Sequence, residues 1–247
     1  MAAEHLVIAS RFCGPPRSGN GGYVCGRLAA HVPGVAAVRL KAPPPLETEL
    51  RVEVADEVAR LLHGADVIAE ARSATLDLVA PPAPSFIEAA EAARSYLGFR
   101  VHAFPGCFVC GPQRAEADGL RIFAGPVTSA AASALPALVA APWIPDRSLA
   151  DGTGQVRREF LWAALDCPGA FAVLPVPEGK AVVLGELCAR IDGSLAVGEA
   201  CVAVGWLLQA DGRKRMVGTA IYDGAGRAVA VARATWLEVE ASAFGGQ

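Results

Sequence analysis

Residues 182–238 read VVLGELCARIDGSLAVGEACVAVGWLLQADGRKRMVGTAIYDGAGRAVAVARATWLE. Apolar runs at 182–191, 197–208, 213–222 and 228–238 are separated by Asp192-Gly193, Asp211-Gly212 and Asp223-Gly224. Asp-Gly readily adopts the positive φ that tight hairpins require, so the stretch predicts antiparallel strands joined as a meander. A doubly wound sheet would place a helix between successive strands, and this stretch has no room for one.

Working outward, residues 157–165 have helical apolar spacing, and Pro168-Gly169 should kink or end that helix. A turn-rich segment at 107–119 and an expected strand at 120–123 open this half of the chain. The first half follows the same plan: a short apolar stretch at 6–9, a Gly/Pro-rich loop at 13–22, and a helix-like run at 23–32 stopped by Pro33-Gly34. Leu46, Thr48, Leu50, Val52 and Val54 then alternate with Glu47, Glu49, Arg51 and Glu53, the period of a half-buried strand. Residues 57–62 and 66–79 form a further pair across His63-Gly64. Pro81-Pro82-Ala83-Pro84 breaks the pattern, and Ser85 with Glu88 forms a capping box for a connecting helix at 86–97. The expected organisation is a first half at 1–84, a connector at 85–106 and a second half at 107–247. One helix per half beside an antiparallel meander predicts an α+β layer in which the sheet wraps the helix.

The 247 residues are 53% apolar, enough to fill a sizeable core. Charged residues make up 19% with a net charge of −3, so there is no positive excess to neutralise a nucleic-acid backbone. Met1-Ala2-Ala3-Glu4 has an acid where a secretory signal carries basic residues. The most apolar window, 130–143, is interrupted by Pro136 and Pro142 and is too short to span a bilayer; it reads as a loop or short buried segment. Seven cysteines, an odd number mostly set in apolar runs, suit a reducing compartment. A cytoplasmic protein without nucleic-acid or membrane partners is expected.

Several motifs, in order, resemble the hotdog-fold thioesterase superfamily and its fused double-hotdog members. Asn20-Gly21-Gly22-Tyr23-Val24 looks like the His-Gly-Gly opening of the central hotdog helix, with Asn20 in the place of histidine. Cys107-Phe108-Val109-Cys110-Gly111-Pro112 followed by Asp118-Gly119-Leu120 looks like the opening of many such domains. Leu165-Asp166 resembles the helix segment that carries the acid in phenylacetate-type and acyl-CoA thioesterase II-type enzymes, and residues 226–236 resemble the last strand. The resemblance implies a tandem double hotdog, hence an internal pseudo-dimer, with further homo-oligomerisation left open. Two departures stand out: Thr235-Trp236 occupies the strand where thioesterase II-type enzymes carry glutamine, and Arg157-Arg158-Glu159 replaces paired glycines in the second half.

Asp166 is the only charged residue between Phe160 and Leu174, and a carboxylate in such surroundings needs a partner or a task. The task is to deprotonate water or attack a thioester carbonyl; the structural alternative is a buried cap on a neighbouring backbone. Gly21 and Gly22, with Asn20, stand where a helix N-terminus offers free N–H groups, and would polarise the carbonyl if they face Asp166 across the two halves. The first half has the glycines but Ala29 near the acid position; the second has the acid without glycines. One working composite site and one degenerate site are expected.

Substrate contacts are expected from Tyr23, Trp162 and Thr235. Arg213, Lys214 and Arg215 offer a basic patch for the phosphates of coenzyme A, or simply a solvated hairpin tip. Coenzyme A would enter as part of a small-molecule acyl thioester, and no separate cofactor is expected. Cys107-x-x-Cys110 has the spacing of half a zinc site, but no second such pair exists, and His102 or Cys13 would join it only through folding; no metal is expected. Thioester hydrolysis leads, a non-catalytic acyl-thioester or lipid-binding protein is the alternative, and a hydratase or dehydratase would need a histidine beside Asp166.

Overall fold

The computed structural model describes residues 4–128 and 137–244. Met1-Ala2-Ala3, the start of the segment read as unlike a secretory signal, and the first part of the apolar window, 130–136, lie outside the described residues. The rest of that window is a short buried segment, the second of its two readings, and forms strand β7 (Val139–Trp143).

Eleven strands form one sheet among the described residues, in the order β1-β3-β4-β5-β2-β8-β11-β10-β9-β7-β6, with every neighbouring pair antiparallel. The chain's earlier part supplies β1 (Glu4–Val7), β2 (Ala36–Leu40), β3 (Glu49–Ala55), β4 (Val58–His63) and β5 (Asp66–Ser73). The later part supplies β6 (Gly125–Pro126), β7, β8 (Lys180–Ile191), β9 (Cys201–Asp211), β10 (Lys214–Tyr222) and β11 (Ala228–Glu240). The two sets join where β2 pairs with β8, Val38 opposite Leu187.

The strand patterns explain which faces are covered. In β3, Leu50 and Val52 are buried while their alternate neighbours reach towards solvent, as expected for a sheet with one wet face. In β9 the six residues from Cys201 to Trp206 are all buried, because this part of the sheet is covered on both sides. On one side lie α1 (Gly21–Ala29), α3 (Arg158–Ala164) and α4 (Cys167–Phe171), which share the main core. On the other, α2 (Phe86–Arg94) packs Ala89 against Ala140, Val204, Trp206 and Tyr222. The Ser85–Glu88 capping box is formed as its sequence requires.

Four local expectations are corrected. Residues 120–123 form no strand: the amides of Leu120 and Ile122 bond the carbonyls of Phe108 and Val109 in a loop instead. Asp192-Gly193 is not a hairpin, because β8 lies between β2 and β11; both amides donate to the Val229 carbonyl as the chain leaves for β9. Asp211-Gly212 and Asp223-Gly224 do join neighbouring strands. The strand read at 66–79 ends at Ser73, and the connecting helix read at 86–97 ends at Arg94, followed by a short 3-10 turn at Leu97–Phe99.

The break between α3 and α4 sets up the site. Pro168 has no N–H to continue the helix, so the chain tightens at Leu165 and Asp166 and restarts at Cys167, with Pro168 in the first turn where its missing donor costs little.

Candidate functional site

α1 and α3 cross in close, antiparallel contact, and glycine makes the contact feasible. A Cβ on Gly26 would lie 2.7 Å from both the Glu159 Cα and the Trp162 Cβ; one on Gly22 would lie 2.6 Å from the Asp166 Cβ and the Trp162 carbonyl oxygen. Gly22 is therefore required by packing as well as by any chemistry.

The approach brings the start of α1 onto Asp166. Asn20 is the N-cap of α1: its Oδ1 accepts from the Tyr23 amide at 2.9 Å, the ordinary capping bond. Its Nδ2 donates to Asp166 Oδ2 at 2.9 Å, and the Gly22 amide donates to the same oxygen at 2.9 Å. Asn20 and Asp166 are each only 2% exposed. Asp166 Oδ1 has no hydrogen-bond partner among the described residues. Burial raises the Asp166 carboxyl to about 7, the nearby Cys107 thiol adding to the rise, while the Gly22 and Asn20 donors hold it back.

A cavity of about 510 Å³ opens beside this carboxyl. Asn20, Gly21 and Asp166 stand in its wall together with Cys107, Cys110 and Cys167, and the remainder is mostly apolar, including Phe171, Leu184, Trp236 and Leu237. A largely apolar cavity with a few convergent polar groups is the usual form of a small-molecule site.

The expected residues divide into three groups. Asn20, Gly21, Gly22 and Asp166 come together. Yet Gly22 does not offer a free donor for a carbonyl, as expected from sequence, because its single amide proton is committed to Asp166 Oδ2. No hydrogen bond from the Gly21 amide is found among the described residues, and Gly21 lines the cavity.

Tyr23, Trp162 and Thr235 do not line the cavity. Tyr23 is stacked on Phe12 with ring centroids 4.2 Å apart, and Trp162 backs the α1 crossing. Thr235 pairs in the sheet with Met216 and Glu186, and its neighbour Trp236 is the residue that faces the cavity. Arg213, Lys214 and Arg215 sit at the β9–β10 hairpin tip, outside the lining; Arg215 is turned to Glu238 at 3.5 Å. Lys214 is, however, the sheet partner of Leu237, which does line the cavity, and Lys41 and Lys180 stand in the wall itself.

Sequence reasoning did not find the third thiol. Cys167 follows Asp166 directly, and its Sγ lies 3.8 Å from that of Cys107. Cys13, considered as a partner for the Cys107-x-x-Cys110 pair, lies beside it but outside the cluster: its carbonyl accepts from the Phe108 amide at 2.8 Å and its Sγ accepts from Arg114 Nη2 at 2.9 Å. No histidine is hydrogen-bonded to Asp166 among the described residues, and His31 faces Glu4 at 3.8 Å.

No family model matches the chain, and no curated protein matches it in sequence. Solved structures do match it along nearly its whole length. A candidate thioesterase II from Thermobifida fusca is 12% identical, with 97% of this chain and 93% of that chain covered and a TM-score of 0.59. A candidate thioesterase from Novosphingobium aromaticivorans is 12% identical over 96% of this chain and 95% of that chain, at 0.58. A hotdog-fold protein from Alicyclobacillus acidocaldarius is 12% identical over 96% of both chains, also at 0.58. At this identity the likeness is one of fold: the chain has the hotdog fold of these structures. No helix among the described residues is long and apolar enough to cross a membrane.

Proposed function

We propose that this chain is a tandem double hotdog, with halves at 1–84 and 107–247, that hydrolyses an acyl thioester, an acyl-coenzyme A being the expected substrate. The observation that carries the reading is the Asp166 carboxyl in the wall of a cavity of about 510 Å³, whose Oδ2 is held by Asn20 and Gly22 while Oδ1, itself buried, has no hydrogen-bond partner among the described residues. Two donors on one oxygen fix the orientation of the carboxyl, which is what positioning a water requires. A water held by Oδ1 attacks the carbonyl carbon and passes its proton to the carboxylate. The C–S bond then breaks, and the departing thiolate takes that proton, leaving a carboxylic acid and a thiol. Gly21 is the amide left to polarise the carbonyl oxygen, at a helix start where the dipole favours negative charge. The acyl chain fits the apolar wall near Phe171 and Leu184.

One observation favours the alternative, a protein that binds acyl thioesters or lipids without cleaving them. The Gly22 amide, a natural carbonyl-polarising donor, is already used by Asp166. A panel of acyl-CoAs assayed by thiol release separates the two. Turnover by the wild type that collapses in Asp166→Asn supports hydrolysis; saturable binding with no thiol release supports the binding protein. Turnover unaffected by the substitution removes Asp166 from the reaction.

A further inference from the structure

The fold gathers three thiols that the sequence keeps apart. Cys107 and Cys110 lie in the loop before β6, Cys167 starts α4, and their three sulfurs all lie within 4.8 Å of one another, each residue buried. Buried cysteines commonly serve as small hydrophobes, and a cluster of sulfurs alone would need no other account. The surroundings of these sulfurs are different. A side-chain amide reaches them: Asn20 Nδ2 lies 3.9 Å from Cys107 Sγ.

His102 completes the pattern. Its Nδ1 accepts from the Phe104 amide at 3.0 Å, so in the neutral ring the proton sits on Nε2. Nε2, 3.4 Å from Cys110 Sγ, therefore donates to that sulfur. The ring is not a spare ligand; it is an N–H donor to a sulfur, the outer-sphere partner that metal-bound thiolates commonly have. The spacing of one pair agrees as well. Two thiolates on one tetrahedral zinc, each about 2.3 Å from the metal, lie roughly 3.8 Å apart; Cys107 and Cys167 are 3.8 Å apart. All seven cysteines are free thiols, so no disulfide competes for these sulfurs.

We propose that Cys107, Cys110 and Cys167 bind one thiophilic metal ion, zinc or cuprous copper, through three thiolates, with His102 donating to the Cys110 sulfur. All three cysteines also line the cavity, so a remaining coordination position is open to what enters there. Binding exchanges thiol protons for the metal, and the protons leave to solvent. The site does not depend on the hydrolytic reading, since it would form in a binding protein equally well.

The test uses the full chain, reduced and stripped of metal under anaerobic conditions, with all seven thiols counted in denaturant. Cobalt(II) titration should reach one equivalent per chain with a thiolate-to-cobalt charge-transfer band in the near ultraviolet. Zinc should displace the cobalt, and a separate arm with cuprous ion against a chromogenic chelator decides which metal binds more tightly. Cys167→Ser should lose at least tenfold in affinity and much of the band, and His102→Phe about 10–100-fold in affinity with the band retained. Cys201→Ser, in β9 and outside the cluster, should bind as the wild type. If a cluster variant fails to fold, the wild-type titration still decides, together with a metal-dependent rise in its melting temperature. Reduced wild type that takes up neither zinc, cobalt nor cuprous ion at micromolar concentration overturns the site, as does a folded Cys167→Ser that binds unchanged.

Discussion

The starts of α1 and α3 face opposite ends of the same helix crossing, and they have been put to different uses. At one, the side chain of Asn20 caps α1, Gly22 lets α3 approach, and Asp166 accepts from both. At the other, Arg157 stands at the N-cap of α3 with no side-chain cap, pairs with Glu159 at 3.6 Å and lies over Phe160 at 4.7 Å. Ala29 stands as far beyond Asn20 as Asp166 stands beyond Arg157, so the position that matches Asp166 carries no carboxylate. The recess beside it is lined by Arg157, Arg158, Asp151 and Asp192, all charged and near solvent. The two ends of one helix crossing thus differ through the side chains that stand at each helix start.

The largest expected effect tests whether that asymmetry is chemical. Asp166→Asn keeps size and hydrogen-bonding shape but removes the proton acceptor, so thioester hydrolysis should fall by roughly 10²–10⁴-fold with the melting temperature little changed. Steady-state thiol release beside thermal unfolding reads both, and an equal loss of fold and activity would mean that the carboxyl is only structural.

The next effect tests whether the asymmetry is one of packing. Gly22→Ala forces a methyl to within 2.6 Å of Asp166 Cβ and should cost about 1–3 kcal/mol in urea unfolding, together with activity. Glu159→Ala at the matching position of α3 should cost less, up to about 1 kcal/mol, since it loses an ion pair to an exposed arginine and introduces no clash. Similar costs at both positions would erase the distinction between the two ends of the crossing.

The smallest effects concern the caps. Asn20→Ala should destabilise by about 1–2 kcal/mol, losing the cap on Tyr23 and one of the two bonds to Asp166. Arg157→Asn should do the reverse, stabilising by about 0.5–1 kcal/mol by giving α3 the cap it lacks, with hydrolysis unaffected. Chemical denaturation of the two variants settles the sign of each; a destabilised Arg157→Asn would show that the contact of Arg157 with Phe160 outweighs a cap.

Much of the scaffold was legible because it rests on local signals. Alternation along β3, the capping box at Ser85, and the Asp-Gly turns at 211–212 and 223–224 each express preferences of a few adjacent residues. Asp192-Gly193 carries the same dipeptide and yet opens a crossing loop, because β11 takes the place beside β8 that a hairpin partner would have filled. Strand order depends on pairing between distant segments, which no dipeptide encodes. The site was legible to the same degree. A lone acid in an apolar helix and a pair of glycines at a helix start each invite attention on physical grounds, whereas the contacts expected of Tyr23, Trp162 and Thr235 depended on which way each side chain turns.

By itself, then, the sequence determined most of the strands and helices, the need for a partner or a task at Asp166, and the place of Gly21 and Gly22 at a helix start, since burial and backbone freedom are properties of residues in their local pattern. Only the tertiary structure decided that the Gly22 amide is spent on Asp166 Oδ2, that Oδ1 is left without a protein partner, and that Cys167 rather than Cys13 meets Cys107 and Cys110. Such pairings are settled by a few ångströms between segments some sixty to a hundred and fifty residues apart, and those distances exist only once the helices cross.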